Sequence, residues 1–195
     1  MRIVSTVLCI LLVCLVAPVS VGLAQVNPPP AAAAPPANPL SAHQKAIYRG
    51  VKAMLLRSAE KMPEDSYGFK PTESVRSFGQ IVGHAAESQY AFCSRALGEK
   101  SPAPKIEETK KSKADLVAAL KEALAYCDKA YDGMTDASAL ETIKFMGGDA
   151  PRVAALNVNS LHSVEHYGNL VVYLRMKNIV PPTSDQAFMQ EMMKK

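Results

Sequence analysis

The chain has 195 residues, 48% of them apolar, with 22 basic and 18 acidic side chains and a formal net charge of +4. That length and apolar content suit one domain with its own core. The basic residues are scattered among acidic ones with no aromatic and basic stripe, so nucleic acid is not an expected partner, and the lack of C-x-x-C-H excludes a c-type haem.

Residues 1–24 open with Arg2, run through apolar residues from Ile3 to Ala17, and close on Pro18 and small residues up to Ala24. This is the layout of a secretory signal peptide, with cleavage expected after Ala24 and Gly22 as second choice. An uncleaved leader would instead be a membrane anchor; once cleaved, it leaves no membrane span. The expected location is periplasmic or extracellular. Cys9 and Cys14 leave with the leader, and Val13 before Cys14 does not suit a lipoprotein processing site. Residues 25–39 form a Pro/Ala-rich tether, extended and unable to build a core.

Residues 40–182 form the expected folded domain, followed by a short tail, 183–195. A first helix follows Ser41 and Gln44, which resemble a capping box, and carries Ile47, Val51, Met54 and Leu55 up to Pro63. A second opens near Thr72 or Ser74 and runs to Gly98. Ser101 to Lys111 reads as a solvated, mixed-charge loop. A third helix starts at Ser112 with Asp115 and ends at Gly133. Met134 to Gly148 is irregular or holds one short helix. Asp149 as N-cap and Pro151 in the first turn start a fourth helix, which ends at Asn178 before Pro181 and Pro182. With no convincing strand pattern and no repeat, the fold class is all-α, a four-helix bundle whose dozen-residue connections leave room for a crossover.

The last helix carries His162 and His166 at i, i+4, on one face, where they can grip one ion if a third ligand comes from another helix. Their stripe includes Ala155, Val158, Asn159, Asn169 and Tyr173, more polar than a purely structural core face. H-x-x-x-H without the metalloprotease glutamate is a weak motif, and both residues also fit as ordinary side chains. His84 stands mid-way along the second helix with Ser77, Ile81, Ser88, Ala91 and Arg95 on its stripe. Alone, such a histidine is more often a satisfied buried side chain than a ligand.

Two segments carry a resemblance: SVRSFGQIVGHAAESQY in the second helix, and HSVEHYGNLVVYLRMKNIVPP in the last, an H-x-x-x-H-x-G pattern ending in Y-L-R and a proline pair. From about Ala42 to Pro182 the chain resembles the DinB family of metalloenzymes, also called DinB/YfiT-like. The resemblance implies a DinB-like bundle in which His84, His162 and His166 form a three-histidine metal site. Asn169 departs from the glutamine that the family often has after the glycine.

Three neutral imidazoles with nothing obvious in a fourth position would leave an open coordination site on a divalent ion, zinc or nickel. Such a site can turn a bound water or thiol into a nucleophile. Asn159, Asn169, Glu165, Ser88 and Glu87 are the candidates for orienting the ligands or touching substrate. Cys93 lies nine residues beyond His84, about 13 Å along a helix, too far to share its ion. Cys93 and Cys127 either bridge the second and third helices in an oxidising compartment or serve as small buried apolar residues. The functional expectation is an exported metal-dependent enzyme, a hydrolase or a thiol transferase, acting on an unidentified small molecule. The alternative is a non-catalytic helical bundle that binds a metal or a partner. A homodimer is compatible with the paired faces of bundles.

Overall fold

The structure, a computed structural model, describes residues 37–102 and 105–194. The expected signal peptide, residues 1–24, and nearly all of the Pro/Ala-rich segment 25–39 lie outside the described residues. The fold is all-α, built on four long helices: α1 (Pro39–Lys61), α2 (Phe78–Leu97), α4 (Lys113–Gly133) and α6 (Val153–Met176). Three short helices accompany them, α3 (Ile106–Thr109), α5 (Asp136–Ala139) and α7 (Gln186–Met193), together with a two-stranded antiparallel hairpin, β1 (Thr142–Phe145) and β2 (Gly148–Pro151). The architecture is therefore richer than a plain four-helix bundle.

Side-chain pairs fix how the long helices run. Lys45 meets Asp132, Lys52 meets Asp128 and Lys121 meets Glu60, so α1 and α4 are antiparallel. Tyr173 Oη donates to the Arg76 carbonyl at 2.6 Å and Gln89 Nε2 donates to Ser163 Oγ at 2.9 Å, so α2 and α6 are also antiparallel. Gln44 near the start of α1 reaches Ser160 near the start of α6, and Lys61 at the end of α1 pairs with Asp185 beyond the end of α6. These two helices run parallel. Leu116 packs on Gly79, and Cys93 is joined to Cys127 by a disulfide with Cα atoms 5.3 Å apart, so α2 and α4 are parallel too.

Parallel neighbours in succession need a crossover, and the segment between α2 and α4 is that crossover. It passes back along α2 so closely that a Cβ on Gly83 would stand 2.8 Å from the Glu107 Cα. Only the bare hydrogen of glycine lets the two backbones approach this far. The stretch from Ser101 to Lys111, expected as a solvated loop, instead contains α3, and Ile106 is 4% exposed. Its mixed charge hid a single apolar anchor.

Helix starts were displaced in three places. α1 begins at Pro39 rather than Ser41; Ser41 is buried in its first turn, and Gln44 reaches across to α6. α2 starts at Phe78, not near Thr72 or Ser74, because Ser77 and Gln80 form a reciprocal capping box. Asp149 and Pro151 belong to β2, and α6 starts at Val153. The hairpin turns through Met146 (φ 51°) and Gly147 (φ 86°), both positive, as a two-residue primed turn demands. The expected start of α4, Ser112 accepting from the Asp115 N–H at 3.1 Å, is as read. In the tail, α7 tucks Phe188 in to 6% exposure. No helix among the described residues is long and apolar enough to cross a membrane.

The core is lined by Phe78, Leu55, Met62, Leu116, Leu120, Leu124, Leu156, Leu170 and Leu174. Within it lies a polar chain: Asn159 Nδ2 donates to Gln89 Oε1 and Tyr131 Oη, each at 3.1 Å, and Tyr131 Oη reaches the Leu156 carbonyl at 2.8 Å. Asn159 Oδ1 is buried without a hydrogen-bond partner among the described residues, so this chain is only partly paired.

Two outcomes follow. Replacing Gly83 by alanine places a methyl against the α3 backbone, and this is expected to cost about 1 to 3 kcal/mol in urea unfolding despite alanine's better helix propensity. The Cys93–Cys127 bond closes a separation of 34 residues, so the double serine variant is expected to lose about 3 to 4 kcal/mol by the same measurement.

Candidate metal centre

His84 from α2 and His162 and His166 from α6 meet at the α2/α6 seam. His162 Nε2 lies 3.3 Å from His84 Nε2 and 3.1 Å from His166 Nε2. Nitrogen ligands held about 2.0 to 2.1 Å from a tetrahedral ion stand about 3.3 Å apart. The spacing thus fits the edges of a ligand set.

The other ring nitrogens decide which atoms carry protons. His84 Nδ1 lies 3.3 Å from Glu107 Oε2, and His166 Nδ1 lies 3.2 Å from Asn169 Oδ1. An acceptor oxygen at Nδ1 keeps the proton there and leaves Nε2 as a bare lone pair. His162 Nδ1 is buried without a hydrogen-bond partner among the described residues. A proton on His162 Nε2 can serve one of its two close neighbours and not both. One pair of nitrogens therefore faces without a proton between, and a cation at the centre would answer all three. The residues present fit a divalent ion.

Burial and mutual repulsion keep these rings neutral, the form a metal needs. Desolvation, His166 and His84 lower the His162 pKa from 6.5 to about 4. Desolvation, the Arg76 charge and His166 lower His84 against the pull of Glu107, and His166 is lowered chiefly by desolvation. On one side Phe92 packs edge-on against His162 with centroids 5.4 Å apart, and Phe145 from the hairpin packs on Phe92. On the other side a cavity of about 730 Å³ opens, its wall including His166, Asn169, Glu107, Arg76, Lys70 and Tyr173.

The five residues proposed to support the ligands have different fates. Asn169 meets His166 directly. Glu87 acts one step removed, its Oε1 accepting the Glu107 N–H at 3.1 Å and so holding the crossover in place. Ser88 Oγ donates to the His84 carbonyl, a local helix bond. Glu165 is exposed on α6, and its charge reaches His162 and His166 through space alone. Asn159 is fully buried in the polar chain and touches no histidine in the hydrogen bonds it makes. The fourth histidine, His43, is exposed on α1 and outside the cluster.

Glu107 was missed. Its carboxylate bridges Arg76 Nε, at 2.9 Å from Oε1, and His84 Nδ1, at 3.3 Å from Oε2. His84 also shares a second acid cluster with Glu87 and Glu107. No sequence signal singled it out: Gly83 beside His84 permits the close approach, but Gly50 and Gly168 also sit inside helices with nothing within 4 Å of an added Cβ.

The low His162 pKa sets a pH window. The unfolded chain protonates this ring near its ordinary 6.5, whereas the folded protein resists until about 4. The stability gained by folding around a neutral ring is complete above 6.5 and drains away as pH falls toward 4. Metal-free protein is expected to lose Tm across that window in thermal unfolding followed by circular dichroism. His162→Ala should show a shallower decline.

Residues 47–170 match the family model described as the DinB superfamily. A DinB-like protein from Bacillus cereus ATCC 10987 superimposes with a TM-score of 0.61 at 14% identity, over 69% of this chain and 91% of its own. A DinB-like protein from Bacillus subtilis, YjoA, gives 0.58 at 25% identity, over 70% and 92%. A variant of the mycothiol-dependent maleylpyruvate isomerase gives 0.56 at 15% identity, over 67% of this chain and 60% of its own. No curated protein sequence matches. With the family model spanning well over half of its length and the fold repeated in DinB-like structures, the chain belongs to the DinB superfamily.

Proposed function

We propose that the protein is an exported metal-dependent enzyme in which His84, His162 and His166 hold one divalent ion, zinc or nickel, for chemistry on a small molecule. The observation that carries this reading is the meeting of three Nε2 atoms beside an open cavity of about 730 Å³. A structural ion is closed off by four protein ligands, whereas a catalytic one keeps a position for water or substrate. The described residues offer three such nitrogens and a cavity that reaches His166. When bound, the ion would supply Lewis acidity that makes a water or thiol nucleophilic near neutral pH.

The protein's own residues prepare that chemistry. Glu107 and Asn169 accept from Nδ1 of His84 and His166, fixing the ring planes and tautomers. Phe92 and Phe145 close one side to water. The cavity admits substrate from the other side.

Water is the favoured nucleophile. The Cys93–Cys127 disulfide suits an oxidising compartment, as does the leader-like N-terminal segment, and reduced thiol pools are chiefly cytoplasmic. A second reading, thiol transfer, draws support from the similarity of fold to a mycothiol-dependent isomerase.

Metal analysis tests the proposal. Protein purified without chelator is expected to carry about one equivalent of zinc or nickel, and the variant with all three histidines changed to alanine none. After cobalt substitution, the visible spectrum should shift when azide is added, as an exchangeable position requires. Equal metal in the two proteins would refute the site, and a spectrum indifferent to azide would favour a non-catalytic, closed role.

A further inference from the structure

The cavity beside the histidines has an unbalanced charge. Its wall carries two cations, Lys70 and Arg76, and Glu107 is the one carboxylate lining it among the described residues. Glu107 is already committed, with Oε1 on Arg76 Nε and Oε2 toward His84 Nδ1. Lys70 is half-buried and makes no ion pair or hydrogen bond among the described residues. The two terminal amino groups of Arg76 likewise have no hydrogen-bond partner there, because its bond to Glu107 uses Nε. The guanidinium is thus held in position with its fork free, the arrangement that receives a planar carboxylate through two parallel bonds. Tyr173, also in the wall, anchors the same segment by donating to the Arg76 carbonyl at 2.6 Å.

The rest of the wall mixes apolar Val75, Ile81 and Val172 with polar Ser74 and Gln80, and includes His166 and Asn169. An acid group seated on the cations would leave the body of its molecule along these apolar side chains, with His166 in the wall of the same cavity. A neutral ligand would leave Lys70 desolvated and unpaired.

We propose that Lys70 and Arg76 form a carboxylate subsite, so that the substrate class of the site is a small organic acid with a short apolar body. As a statement about substrate this rests on the metalloenzyme reading above; as a binding site it stands on the cavity alone.

Hexanoate and its neutral counterpart hexanamide test it, by calorimetric titration of the full protein and of the H84A/H162A/H166A variant, both metal-free so that coordination cannot contribute. Hexanoate is expected to bind both proteins roughly tenfold more tightly than hexanamide, and Lys70→Gln to remove about that factor. Arg76→Gln should do the same in a background where Glu107→Gln alone retains binding, separating the guanidinium's role from its hold on Glu107. Equal affinity for acid and amide, or hexanoate binding unchanged in both Lys70→Gln and Arg76→Gln, would overturn the subsite whatever the metal content. Hexanoate binding that needs Lys70 and Arg76 in a protein that never takes up metal would uphold the subsite and remove only the metalloenzyme reading.

Discussion

The approach of His162 Nε2 to His84 Nε2, at 3.3 Å, and to His166 Nε2, at 3.1 Å, is the constraint on which the rest of this site depends. A single proton on His162 Nε2 serves only one of the two close pairs, and further protonation is resisted by burial of all three rings and, at His84 and His162, by their neighbours' charge. The protein holds the arrangement from outside. Glu107 and Asn169 take the far nitrogens of two rings, Phe92 backs the third, and the disulfide ties α2, which carries His84, to α4. These restraints come from α3, α6, α2 and α4, so three of the four long helices and the crossover fix the position of one small volume.

The crossover links fold to chemistry. Because α2 and α4 run parallel, the chain must travel back along the bundle between them, and Gly83 lets it pass directly over the turn that carries His84. That passage delivers Glu107 to two partners at once, a ring of the cluster and the guanidinium in the cavity wall. Topology thereby converts an acidic residue in a charged connection into a bridge between the two halves of the site.

Much of this was legible in the sequence. His162 and His166 are readable from spacing because one helical turn sets their relation, and His84 became readable once the DinB resemblance supplied a companion helix. The long helices follow from apolar periodicity. Glu107 was not readable as a partner of His84, since their meeting depends on a backbone path between helices. The start of α2 was misplaced because Thr72, Ser74 and Ser77 are all plausible caps, and only Ser77 has a glutamine three residues on whose side chain returns the bond. The hairpin was missed because TIKF, though alternating and rich in β-formers, is only four residues long, its partner GDAP carries Gly, Asp and Pro, and the turn is Met-Gly rather than Asn-Gly. Asn159 shares a stripe with the histidines yet belongs to the core, for a shared helix face does not say which neighbour a side chain meets.

The most direct test is anomalous diffraction from crystals of the metal-loaded protein, recorded on both sides of the metal's absorption edge. A single peak among the Nε2 atoms of His84, His162 and His166, with a coordination position open toward Arg76 and Asn169, is the predicted result. A peak on His84, Glu87 and Glu107 instead, or rings that move apart around ordered water with no anomalous signal, would contradict the three-histidine centre.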